Sequence, residues 1–410
     1  MSEQHVPSST PSGSATGGST AAAHGAGTTR TGTTSGGGST VRHFLIVFTV
    51  AVLAAVGIAW AAGAFRATPR VVLVTSTDDP YWDRVISGAQ TAARQFNVEL
   101  DVFKSKGDEK MQSQTIRDAL SRNVAGIGVS PVDATAQADM LRDAAGRATL
   151  VTFDSDAPGS NRTAFIGTDN YIAGRQCAEV VREALPDGGE LIISVGSVDK
   201  ENGRLRRQGL IDNLAERPLD AGRAADPLDQ PLKAGKYTIV STLIDQTEPA
   251  RATQLATEAI QKTPNLKLIV GLFGYSAPAL LDALKQTNKL GQIKIVGFDE
   301  HEQTLAGIEQ GHVAGTLVQD QFNMGYDTVR VLCEVINKVP PVDDRGRTQY
   351  LPCRAITSAE DVNIIRYEKQ REQQQQPGGG GGGGAAAPAA ASAQPSQPAP
   401  AAGAPATQPT

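Results

Sequence analysis

The stretch VVLVTSTDDPYWDRVISGAQTAARQF, from Val71 to Phe96, constrains the fold of this chain more than any other. A run of apolar, largely β-branched residues gives way to a polar turn, and two adjacent aromatics then open a segment with helical apolar spacing. The pattern is strand, turn, helix, and it recurs about ten times up to roughly residue 340.

Apolar runs at Val71 to Val74, Val98 to Phe103, Ala125 to Val129 and Leu150 to Phe153 alternate with helical segments 81–96, 109–122 and 134–145. Strands that are apolar on both faces, separated by helices, predict a parallel sheet covered on both sides. A second series lies at Leu191 to Val195, Tyr237 to Leu243, Leu268 to Leu272 and Ile293 to Val296, with helices near 170–184, 201–215, 249–262 and 277–288. The chain is therefore α/β, with two similar parallel-sheet lobes. A last helix from Phe322 to Lys338 and short strands near 348–352 and 361–366 remain to cross back between the lobes.

Neither end is fit to join that core. Residues 1–43 are dominated by Ser, Thr, Gly and Ala, and residues 370–410 run from a Gln tract through polyglycine into Ala-Pro repeats, so both are predicted to be disordered tails. Between the N-terminal tail and the first strand, Phe44 to Phe65 is an uncharged apolar run of 22 residues flanked by Arg42, His43 and Arg66. Its length predicts an N-terminal apolar helix acting as a membrane anchor, or a signal segment cleaved near Ala64, and either places the two lobes outside the cytoplasm.

The formal net charge of −5 and the lack of any basic cluster beyond Arg204, Arg206 and Arg207 argue against nucleic acid as a partner. Cys177, Cys333 and Cys353 are too few and too far apart for a metal site, and no metal or cofactor is expected; a Cys333 to Cys353 disulfide stays open as an alternative to free thiols. No G-x-G-x-x-G, G-x-x-x-x-G-K-[ST] or G-x-S-x-G follows a strand, which argues against an enzyme.

In open parallel sheets ligands bind beyond the carboxyl ends of the strands. Asp78, Asp79, Tyr81 and Trp82 follow the first strand, Ser130 the third, Asp154 the fourth, and Arg204, Gln246 and Asp299 lie beyond strands of the second series. Carboxylates, amides and guanidinium groups in a ring plane, with aromatics above or below, are what a sugar or polyol requires. VTFD and VGFD put an acid at a strand mouth in both series, where two hydroxyls of one ligand can be held from opposite lobes. Arg217 to Lys236 reads as a surface excursion.

These motifs resemble the ribose-binding-protein branch of the periplasmic binding proteins, the receptors of ABC-type sugar importers. DDPYW (78–82), VTFDSD (151–156), IGTDNYIAGR (166–175), NGRLRRQG (202–209), IVGFDE (295–300) and GTLVQDQFNMG (315–325) carry the resemblance, which covers about Pro69 to Tyr367. It implies the type I fold: two doubly wound lobes, 69–169 plus 320–350 and 170–319 plus 351–367, joined by a three-segment hinge crossing near Asp169, Gln319 and Leu351. It places stacking aromatics on Tyr81 and Trp82 and polar contacts on Thr75, Asp79, Ser130, Asp154, Arg204, Asp299 and Gln319. Ser155 stands where close relatives carry Arg, and Phe273 where an Asn is expected, which points away from ribose toward another pentose, hexose or modified polyol. The implied protein is a monomer that hands its sugar to an ABC permease; the alternative is a sensing module that signals to a membrane receptor or kinase.

Overall fold

The computed structural model describes residues 43–54, 67–339 and 348–374. Residues 43–54 are helical and belong to a unit of their own, Met1–Ala67. No helix among the described residues is long and apolar enough to cross a membrane, and the second half of the expected 44–65 segment lies outside them. Most of both expected tails lies outside them too, although 370–374 are helical.

The unit from Thr68 holds two sheets. In the first lobe β1 (Arg70–Thr75), β2 (Glu99–Lys104), β3 (Gly126–Val129), β4 (Thr149–Phe153), β5 (Ala164–Thr168) and β12 (Thr348–Leu351) pair in parallel, in the order β12-β5-β4-β3-β1-β2. In the second lobe β6 (Gly189–Val195), β8 (Tyr237–Ile244), β9 (Leu266–Gly271), β10 (Lys294–Phe298) and β11 (Val313–Val318) are parallel, and β7 (Leu232–Ala234) and β13 (Arg354–Ile356) close the two edges antiparallel.

Alternation along the strands explains why each sheet is covered twice. Val71 and Leu73 join one core cluster and Val72 and Val74 another, while Leu191, Ile193 and Val195 point opposite to Ile192. Helices α1 (Tyr81–Phe96) and α9 (Gln321–Ile336) pack together on the first sheet, with α2 (Glu109–Ser121) and α3 (Ala138–Arg147) on its other face. On the second sheet α4 (Asn170–Ala184) packs with α5 (Glu201–Leu214), opposite α6 (Pro249–Lys262), α7 (Ser276–Gln286) and α8 (Glu302–Glu309).

Three segments cross between the sheets, at Thr168–Asn170, Gln319–Asp320 and Pro352–Cys353. Asp169 and Asp320 cap the helices that begin there, accepting from the amides of Ile172 (3.0 Å) and Asn323 (3.2 Å). The architecture is the two-lobed, doubly wound fold expected from the strand-helix rhythm.

One local expectation needs correction. Residues 361–366 are not a strand but the start of α10 (Ala359–Gln374): Val362 and Ile365, three apart, enter the second lobe's core while Ile364 stays exposed. The sequence pattern also gave no sign of β5, β7 and β11. All three cysteines are free, with Cys333 in the first lobe's core and Cys353 at the third crossing, so no disulfide joins them.

Candidate functional site

A cleft of about 720 Å³ is lined from both lobes at the carboxyl ends of their strands. In the first lobe, β4 ends on Phe153 and the next residue, Asp154, turns into the left-handed region at φ 59°. The same happens after β10, where Asp299 has φ 60°. Asp tolerates that conformation better than most side chains, and in both lobes the strand ends with a carboxyl at its mouth.

Asp154 accepts from the Tyr81 hydroxyl (3.0 Å), Ser155 (3.2 Å) and Ser130 (3.3 Å). Burial, then the fields of Asp154 and Asp299, push the Tyr81 hydroxyl well above its ordinary range, so it acts as a donor. Asp79 accepts the Tyr81 amide (2.8 Å) and so fixes the start of α1. Trp82 lines the cleft but is mostly core: its ring meets Phe153 edge-on at 5.9 Å and its indole N–H donates to Thr77 (2.7 Å).

Across the cleft, Asp299 is almost fully buried and accepts from the Gln319 amide at 3.0 and 3.3 Å. The Gln319 oxygen accepts in turn from Arg206 (2.8 Å) and Thr168 (2.9 Å). Arg206 spends further donors on Asn170 (2.9 Å) and the Leu272 carbonyl (3.0 Å), with its guanidinium 4.5 Å from the Phe298 ring centre. Burial raises Asp299 to about 7; Arg206 and the Gln319 hydrogen bonds oppose that rise and Glu300 adds to it. A further polar group at the cleft is Tyr275, whose hydroxyl donates at 2.5 Å to Asp245, buried behind it and raised above the usual carboxylate range by desolvation.

The cleft thus gathers Asp79, Tyr81, Trp82, Asp154, Gln246, Phe273, Asp299 and Gln319. Thr75 does not face it: fully buried, it donates to the Thr77 carbonyl (2.6 Å). Ser130 is likewise buried, supporting Asp154 from behind. Arg204 is a correction. Its half-exposed side chain lies 3.9 Å from Glu201 on the outer face of α5, and Arg206 lines the cleft instead. Helical phase does not single out Arg206, because α5 is buried on all sides from Arg206 to Leu214. Tyr275 and Asp245 were missed, although both also follow strands. Among the described residues no cluster of His, Cys, Asp and Glu fits a metal ion.

Two α/β lobes that turn their strand mouths onto one shared cleft define a clamp-type ligand receptor. The chain belongs to the periplasmic binding protein family, whose domain matches residues 70–338. Among its relatives, the D-allose-binding periplasmic protein of Escherichia coli (strain K12) is 25% identical over 301 residues, covering 70% of this chain and 91% of that protein. An ABC transporter solute-binding protein from Burkholderia graminis, solved in complex with D-arabinose, is similar with a TM-score of 0.62 and 26% identity over 70% of this chain and 95% of that one. GanP, a glucose-galactose binding protein from Geobacillus stearothermophilus, shares the fold with a TM-score of 0.63 and 23% identity, covering 71% of this chain and 98% of that chain.

Proposed function

We propose that this protein captures a small sugar or polyol in the cleft, without covalent chemistry, and presents it to an ABC-type importer. The observation that carries the reading is the opposition of Asp154 with Tyr81, from one lobe, to Asp299, Gln319 and Arg206 from the other, on one cleft. Carboxylates accept from ligand hydroxyls, Arg206 retains donor capacity for ring and hydroxyl oxygens, and Tyr81 and Phe273 offer faces to C–H groups. The volume falls in the roughly 300–1,000 Å³ range of small-molecule sites. The relative named for D-allose and the similar structure solved in complex with D-arabinose favour a neutral aldose or similar polyol as ligand. On this reading the protein works outside the cytoplasm, held by residues 44–65 or released by cleavage near Ala64, as a monomer that meets a membrane permease.

Calorimetry on the intact protein with a panel of aldoses and polyols tests this. One member is expected to bind at least tenfold more tightly than the rest, and Asp154→Ala is expected to weaken it at least tenfold. Heat from none of them, with the protein folded, would overturn the reading.

A further inference from the structure

Behind the cleft lies a charged assembly that touches no ligand-facing surface. Arg84 sits on α1 of the first lobe, two residues past Trp82, with little of its side chain exposed. Its guanidinium donates to Glu300 of the second lobe (3.1 Å), the residue directly after Asp299, and grips Glu372 of the terminal helix α10 with two bonds of 2.9 and 2.6 Å. Glu300 is itself buried and also accepts from Gln321 (2.8 Å), just past the second crossing. Arg366 ties α10 to α8 through Glu302 and Glu309, so α10 is anchored to the second lobe while its last turn reaches the first. A second cavity, about 390 Å³, is lined by Arg84, Glu372, Arg354, Cys353 and Gln319; Gln319 also lines the cleft and so separates the two.

Resting on the sugar-binding reading, we propose that Arg84 is a positioning residue for the cleft: it pairs Glu300 directly behind the ligand-facing Asp299, and Glu372 orients it, making α10 a support of the binding site. The physical reason is proximity of like charge. Two neighbouring buried carboxyls disfavour each other's ionisation unless a cation shares the site. Glu300 raises Asp299, and the groups that face Asp299 from other elements are Arg206 of α5, Tyr81 of α1 and Cys353 of the third crossing, of which only Arg206 opposes the rise with a charge. On Arg84 itself burial works against the charge, but hydrogen bonding to Glu372 and the fields of Glu300 and Glu372 outweigh it. Arg84 therefore stays cationic and keeps Glu300 from bearing fully on its neighbour.

A sugar hydroxyl needs Asp299 as an ionised acceptor, so affinity is expected to rise with pH through about 7 in the wild-type protein. Arg84→Met keeps the aliphatic packing and removes the charge. It is expected to move the affinity profile to higher pH by about one unit and so to weaken the tightest sugar about fivefold at pH 7. Arg84→Met combined with Glu300→Gln is expected to return the profile to within threefold of wild type. The carboxyl carbon resonance of Asp299, identified by its loss in Asp299→Asn, is tracked in parallel without any ligand. If the single variant fails to fold, Glu300→Gln alone must still move that titration to lower pH. A profile and a titration that stay in place in Arg84→Met, or a double variant that restores neither, would overturn the role of Arg84. A wild-type protein that binds no sugar would remove the carbohydrate reading and leave the titration to decide about Arg84.

Discussion

Burial and function pull in opposite directions at Asp299. Its carboxyl is raised to about 7 in the folded protein, chiefly by desolvation, against 3.8 for an ordinary Asp. Between those values the folded chain holds a proton that the unfolded chain has released, so the contribution is favourable below about pH 4 and is lost as pH rises through about 7. Asp299→Asn keeps the shape and removes the titration. It should stabilise the folded protein more at pH 8 than at pH 5, by on the order of a few kcal/mol at pH 8, read as a larger rise in melting temperature, while weakening sugar binding. Equal shifts at the two pH values would show that the carboxyl carries no such strain. The neighbouring case of the three arginines shows what sequence does not disclose at this scale. Arg206 and Arg207 are both buried, Arg207 being fixed by Thr242 and by the carbonyls of Asp226 and Pro227. Those carbonyls belong to the 217–236 excursion, which carries no periodic signal, so only the folded chain separates the cleft arginine, the strut and the exposed Arg204.

At the scale of elements, the helix pairs in the two lobes approach so closely that they need glycine. A Cβ on Gly88 would lie 1.9 Å from the Phe322 carbonyl oxygen, and one on Gly174 would lie 2.2 Å from the Arg206 carbonyl oxygen. The second contact bears on the cleft, because α5 carries Arg206. Gly174→Ala should cost about 1–3 kcal/mol through overpacking and lower sugar affinity by displacing that guanidinium. Gly146→Ala, on α3 with nothing within 4 Å of its Cβ, should instead be neutral or stabilise by about 0.4–1 kcal/mol. Thermal melts and calorimetry on the pair check this, and equal losses in both would refute the packing argument. Elements with a long apolar period were legible: the expected helices 81–96, 170–184 and 249–262 coincide with α1, α4 and α6. The short strands β5 and β11 were not, because AFIGT and VAGTLV are interrupted by glycine and give too few turns of any period. α10 misled because DVNII satisfies both periods locally, and only tertiary contact with α8 decides for the helix.

Across the whole molecule, the site and the hinge are built from the same residues. Gln319 is at the second crossing, accepts from Thr168 at the first, and is joined by Arg206 to Asn170. A ligand that draws Asp154 and Asp299 toward each other therefore acts on the crossings directly. Strand-mouth acids in both series were legible because a parallel sheet fixes where its carboxyl ends point; their separation across the cleft was not, since it depends on how three crossings pack. Binding that engages both lobes should shift the population toward a closed form by the ligand's differential affinity for it. Small-angle scattering should then show a smaller radius of gyration at saturating sugar, and at 100 times Kd the folded state should gain about 2.7 kcal/mol. Asp154→Ala removes the first lobe's strand-mouth acid and leaves Asp299, Gln319 and Arg206 in place. Saturated at a correspondingly higher sugar concentration, it should bind through the second lobe without full compaction. Compaction equal to wild type would mean that one lobe suffices to drive closure, and the two-sided grip would not be what moves the hinge.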